Sequence, residues 1–123
     1  MQAIFTPDGP PPAGHYSQAV VSDPFVFVSG MLPGPLALGQ TESFERQANA
    51  VLQHCERVLA AAGCRLSDVV QCTVYIVGIA HWPAFNTIYA ERFGSHKPAR
   101  AVVPVPELHH GFLVEVQMTA RRA

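Results

Sequence analysis

Between Phe44 and Ala62 the apolar side chains recur as Phe44, Ala48, Val51, Leu52, Cys55, Val58, Leu59 and Ala62. That is one stripe at the helical repeat of about 3.6 residues. Thr41 and Ser43 stand before it as candidate N-caps, and Glu42 and Glu45 fall where the helix dipole favours acids. Gly63 follows it, suited to the left-handed residue that ends a helix. The opposite face carries Glu45, Arg46, Gln53 and Glu56 and reads as solvated, without chemistry of its own. A long helix with one apolar face needs an apolar surface to lie on, and the remaining sequence has to provide it.

It provides strands. Gln2–Phe5, Tyr16–Val21 and Phe25–Leu32 are β-like runs, and Ser22-Asp23-Pro24 makes a hairpin of the last two. Thr6–Pro12 and the Pro- and Gly-rich 33–40 stretch read as loops. Val69–Val77 alternates, with Val70, Cys72, Val74 and Ile76 on one face and Gln71, Thr73 and Tyr75 on the other. A second helix is predicted from Pro83, tolerated in a first turn, through Phe85, Ile88, Tyr89 and Phe93 to Gly94. Lys97–Pro106 is a further β-like run. Phe112–Ala120 is the last, with Val114, Val116, Met118 and Ala120 facing one way. The order β-β-β-α-β-α-β-β predicts an α+β fold in one domain, 1–123, with two helices packed on one face of a mixed β-sheet. No helix is left to cover the face carrying Gln71, Thr73, Glu115 and Gln117, so a second subunit is its natural cover.

Composition removes several classes of function. Charged residues make up 14% of the chain, against about 25% in a typical domain. This leaves little charged surface and favours burial against other subunits. The net charge is −1 with no basic block, so no nucleic acid partner is expected. No apolar run approaches the roughly 20 residues of a membrane span, and no secretory signal is expected at the N-terminus. Cys55, Cys64 and Cys72 form no C-x-x-C pair and are odd in number, which predicts buried free thiols and a cytoplasmic protein. His15, His54, His81, His96, His109 and His110 include no H-x-x-x-H pair, so a metal site is not expected. Nucleotide-binding glycine motifs and the G-x-S-x-G elbow are missing as well.

A few residues fit a small-molecule site. Arg100 opens the apolar run Ala101-Val102-Val103 between fencing prolines. An Arg so placed either reaches solvent at a strand edge or holds a carboxylate or phosphate with its planar fork. Glu115 lies between Val114 and Val116 and needs a partner or water. Ser29-Gly30 interrupts a strand, as a bulge, a close backbone approach or a plain strand end would. Asn86 interrupts a helix, either exposed or placed for its hydrogen bonds.

Four segments, taken in order, make a pattern: Gly14-His15-Tyr16-Ser17-Gln18-Ala19, Phe27-Val28-Ser29-Gly30, Phe85-Asn86-Thr87-Ile88-Tyr89, and Pro98-Ala99-Arg100 followed by Val114-Glu115-Val116. The pattern resembles the Rid (YjgF) family of imine/enamine deaminases over nearly the whole chain. The last segment is the most specific, because it places an acid fifteen residues after the Arg. The resemblance implies a chorismate-mutase-like, YjgF-like homotrimer with sites in the clefts between subunits. It implies hydrolysis of 2-imino and enamine acids to 2-oxo acids and ammonia, without metal or organic cofactor. Arg100 would bind the substrate carboxylate and Glu115 would activate water. Tyr16, Ser29 and Asn86 would line the pocket with Val102, and Gly30 would offer backbone contacts. The chain departs from the family at His15 (for Pro), Met31 (for Gln) and Val102 (for the Cys of many deaminating members). Val102 removes a thiol, and Met31 suggests a more apolar pocket, so a larger enamine such as 2-aminomuconate is an alternative substrate. A non-catalytic trimer binding a small carboxylate, as a sensor or stress protein, is the alternative function. RNA cleavage, ascribed to some relatives, finds no support in the charge, and the pattern of a chorismate-mutase-type isomerase is poorly matched.

Overall fold

Ser43 starts helix α1 (Phe44–Ala61), its hydroxyl accepting the Arg46 backbone N–H at 3.2 Å. Gly63, at φ 79°, follows the helix end. The computed structural model, which describes residues 1–9, 11–37 and 39–123, lays α1 and α2 (Trp82–Phe93) on one mixed sheet. The strands are β1 (Gln2–Ile4), β2 (Ala19–Ser22), β3 (Phe25–Met31), β4 (Val69–Ile76), β5 (Ala99–Pro104) and β6 (Val114–Arg121), in spatial order β1-β2-β3-β6-β4-β5. β4 and β5 pair in parallel and the other neighbours antiparallel. A parallel pair needs a crossover, and α2 is that crossover.

The core lies between α1 and the sheet. Leu52, Cys55 and Leu59 meet Val28, Cys72, Val74, Val116 and Met118, all at most 1% exposed. Burying each such Leu or Val stabilises the fold by about 1.5–3 kcal/mol. On the other sheet face Phe25 and Phe27 remain 38% and 48% exposed, beside exposed Gln71 and Gln117 and half-buried Glu115.

Three local readings of the sequence are corrected. A register irregularity between β4 and β6 at Val69–Gln71 slips the alternation, so Val69 is buried and Val70 lies outside, 43% exposed. Tyr16 lies before the strand, because its backbone N–H closes a turn on the Gly14 carbonyl. Gln18 then acts in place of a strand backbone: its side-chain oxygen accepts the Thr6 N–H at 2.6 Å. Glu56 also does more than face water, since it pairs with Arg92 at 2.9 Å and ties α1 to α2.

Two buried polar residues on α1 escape the stripe. Gln47 donates to the carbonyls of Gly39 (3.0 Å) and Glu42 (3.2 Å) and accepts from the Leu113 N–H at 2.8 Å. It pins the turn before β6 to the entry of α1. His54 is buried, and neither ring nitrogen has a hydrogen-bond partner among the described residues. Burial pushes its pKa down, more strongly than the nearby Gly34 carbonyl pushes it up.

Below about pH 6.5 the unfolded chain therefore takes up a proton at this position that folded His54 resists. Its contribution to stability is complete above that pH and is lost as pH falls towards the depressed value. Urea midpoints measured from about pH 8 to 5 should fall more steeply for the native chain than for His54→Met. Equal slopes would contradict this reading.

Candidate functional site

The strand register decides which residues can meet. Arg100 pairs with Cys72, and Cys72 with Met118, both of which point under the helices. Glu115 pairs with Tyr75, three positions from Cys72, on the other face. Because side chains alternate along a strand, Arg100 and Glu115 leave the sheet on opposite faces of the same protomer.

Arg100 lies on edge strand β5, with its guanidinium carbon 4.7 Å from the Tyr89 ring centroid and 5.6 Å from that of Trp82. Cation–π attraction to these α2 rings holds the fork near the helix. The ion pairs of Arg46, Arg92 and Arg122 leave Arg100 without a carboxylate partner among the described residues. A cleft of about 320 Å³ beside it is lined by Asn86, Tyr89, Phe93, His96, Lys97 and neighbouring residues, none of them acidic. His96 is fixed there by donating to the Val69 carbonyl at 2.7 Å. The cleft thus offers cations over an aromatic floor and suits an anion.

The thiol under this cleft is inert. Burial pushes the Cys72 thiol up to about 11, opposed by the nearby Tyr89 hydroxyl and the Arg100 charge. The Tyr89 hydroxyl is buried without a hydrogen-bond partner among the described residues, and burial raises its pKa as well. Val102 packs partly against the core and lines neither this cleft nor the cavity described next.

Around Glu115, the β3–β6 register breaks between Val28 and Met31, and Ser29 and Gly30 fall in the break. The Glu115 carboxylate occupies the space a side chain at position 30 would need: a Cβ there would lie 2.7 Å from Oε2 and 3.1 Å from Cδ. A side chain at position 30 would therefore displace the Glu115 carboxylate. Ser29 is tied down, its hydroxyl donating to the Ser17 carbonyl at 2.7 Å and its N–H to that of Gln18 at 2.9 Å. Burial raises the Glu115 pKa, against a smaller opposite pull from His109. Beside Gly30 a cavity of about 140 Å³ is lined by Tyr16, Met31, Phe112 and His110 among others. Tyr16 is 49% exposed at its rim.

The expected residues therefore form two groups within one protomer. Asn86 and Arg100 line the cationic cleft; Tyr16, Ser29, Gly30 and Glu115 gather at the break in β3. Sequence reading missed Tyr89 and Trp82 as a platform for Arg100, because an aromatic at helical spacing looks the same whether it fills a core or faces a cation. It also gave Lys97 and His96 no part in the site, although they precede Arg100 by only three and four residues. Among the described residues no group of three or more His, Cys, Asp or Glu side chains converges as metal ligands would.

The family model described as Endoribonuclease L-PSP matches residues 6–122. The chain belongs to the Rid (YjgF, L-PSP) family. This Rid chain is 37% identical over 124 residues to a RutC family protein of Pyrococcus horikoshii, covering 97% of the chain and 96% of that protein. It is 34% identical over 121 residues to the human 2-iminobutanoate/2-iminopropanoate deaminase, covering 97% and 88% of the two chains. Among solved structures, it is similar to E. coli TdcF with bound serine: TM-score 0.92, 27% identity and 100% of both chains covered.

Proposed function

We propose that the chain hydrolyses reactive 2-imino acids, and enamine acids through their imine tautomers, to 2-oxo acids and ammonia. The site would be completed between subunits of a homotrimer. The observation that carries this reading is the placement of Arg100 and Glu115 on opposite sheet faces, each beside a cleft. An Arg100 half on the edge of one protomer and a Glu115 half on the uncovered face of the next can enclose one small acid. The related human protein carries the name of a deaminase of this type, which supports the activity.

In this reading the Arg100 fork holds the substrate carboxylate by two hydrogen bonds and fixes the adjacent C=N carbon in place. The Glu115 carboxylate takes a proton from water as the water oxygen bonds to that carbon. The C=N π pair moves to nitrogen, which takes that proton back from Glu115, giving a carbinolamine. Glu115 then takes the carbinolamine hydroxyl proton as the new C=O forms and passes it to the amine as the C–N bond breaks. The balance is imine plus water to 2-oxo acid plus ammonia. Its raised pKa suits Glu115 to exchanging a proton in both directions. Asn86 and Tyr16 would orient the substrate from the two sides.

A net charge of −1 gives RNA no electrostatic footprint, which favours a small acid as the ligand. The three cysteines are free and buried, which supports a reducing cytoplasm. A second reading, retention of a small acid without turnover, is favoured by TdcF having been solved with serine bound. The test is to generate 2-imino acids in situ with an amino-acid oxidase, in the presence of semicarbazide. Added protein should divert the imines from semicarbazide adducts to 2-oxo acids. Unchanged adduct yield across small, branched and aromatic imines would rule out the hydrolase and leave the binder.

A further inference from the structure

The 140 Å³ cavity beside Gly30 has a composition unlike that of the Arg100 cleft. Pro12, Tyr16, Met31, Leu32 and Phe112 supply apolar walls, and no Asp, Glu, Lys or Arg lines it. Of its polar liners, Gln18 is engaged with the Thr6 backbone. His110 sits exposed, with left-handed backbone (φ 61°), in the turn before β6. That turn is clamped: a Cβ at Gly39 would overlap the Gly111 carbonyl, and Gln47 holds the Leu113 N–H at 2.8 Å. The His110–Phe112 side of the cavity is therefore held in place. The cavity also shares Tyr16 and Gly30 with the Glu115 group, so it opens where the reacting carbon of the proposed substrate would lie.

We infer that this cavity is the subsite for the substrate side chain and that it selects 2-imino acids with branched aliphatic or aromatic side chains. The inference rests on the proposed hydrolysis and adds its substrate class. The volume is close to the roughly 150 Å³ of a dry cavity that accepts benzene. A methyl side chain leaves most of it unfilled. An acidic side chain would shed its water there with no cation to receive it. Met31, which lines the cavity and is 7% exposed, can adapt to rings and branches.

The test compares kcat/KM for imines formed in situ from alanine, leucine, phenylalanine and glutamate, together with calorimetric binding of the matching 2-oxo acids. Each buried methylene should give about a fourfold gain, so the leucine-derived imine should exceed the alanine-derived one roughly 50-fold. The glutamate-derived imine should rank last. Ala13, exposed on the cavity wall, allows a filling variant without disturbing the core, and Ala13→Leu should collapse the leucine-to-alanine ratio. The same ranking in binding with no turnover would refute hydrolysis while upholding the subsite. Turnover with a flat ranking, or a ratio untouched by Ala13→Leu, would overturn the subsite and leave hydrolysis standing.

Discussion

Arg100→Ala lowers kcat/KM for 2-imino acid hydrolysis by on the order of a thousandfold, the loss expected when one member of a desolvated, hydrogen-bonded charge pair is removed. Arg100→Lys recovers little of it, because an ammonium cannot reproduce the two parallel hydrogen bonds that set the substrate's orientation. Fold stability changes little in either variant. Arg100 is on an edge strand, half-buried, and its ring contacts with Tyr89 and Trp82 are worth about 0.5–2 kcal/mol. Steady-state kinetics with a urea denaturation control separates the two effects. Equal kcat/KM for Arg100→Ala and the native chain would remove Arg100 from the site.

Glu115→Gln lowers kcat by between about 10²- and 10⁴-fold while changing KM little, because it deletes proton transfer and keeps the shape. The amide is close to isosteric with the carboxylate that fills the space over Gly30. Burial raises the carboxyl pKa, so activity that needs the carboxylate should fail on acidification at a pH above the ordinary value of about 4.3. That acid limb should be absent from the residual activity of Glu115→Gln. A limb that persists unchanged in the variant would assign the titration to another group.

The sequence announced α1 clearly, since cap, stripe and Gly63 agree with one another. The uncovered sheet face was legible too, because Gln71, Thr73, Glu115 and Gln117 alternate with core residues and no third helix was available. Val70 was misplaced because a one-residue irregularity inverts a period-two pattern without leaving a mark in residue type. Gln47 and His54 stayed hidden because their burial depends on loop carbonyls brought in from elsewhere. Arg100 and Glu115 stood out as residues, but their faces did not. The parity of β5 is set by its parallel register against β4, a non-local fact. Only that register separates the two residues, which is why the proposed site calls on a partner subunit.

The central claim, one site shared between two subunits, is tested by mixing. Arg100→Ala and Glu115→Gln chains are each nearly inactive alone and are unfolded and refolded together in equal amounts. Random assembly into closed rings gives about a quarter of the interfaces an intact Arg100 facing an intact Glu115. The account predicts recovery of about a quarter of native kcat per site. If each site drew both residues from one chain, the mixture would show no activity above its separate components, and the shared site would be refuted.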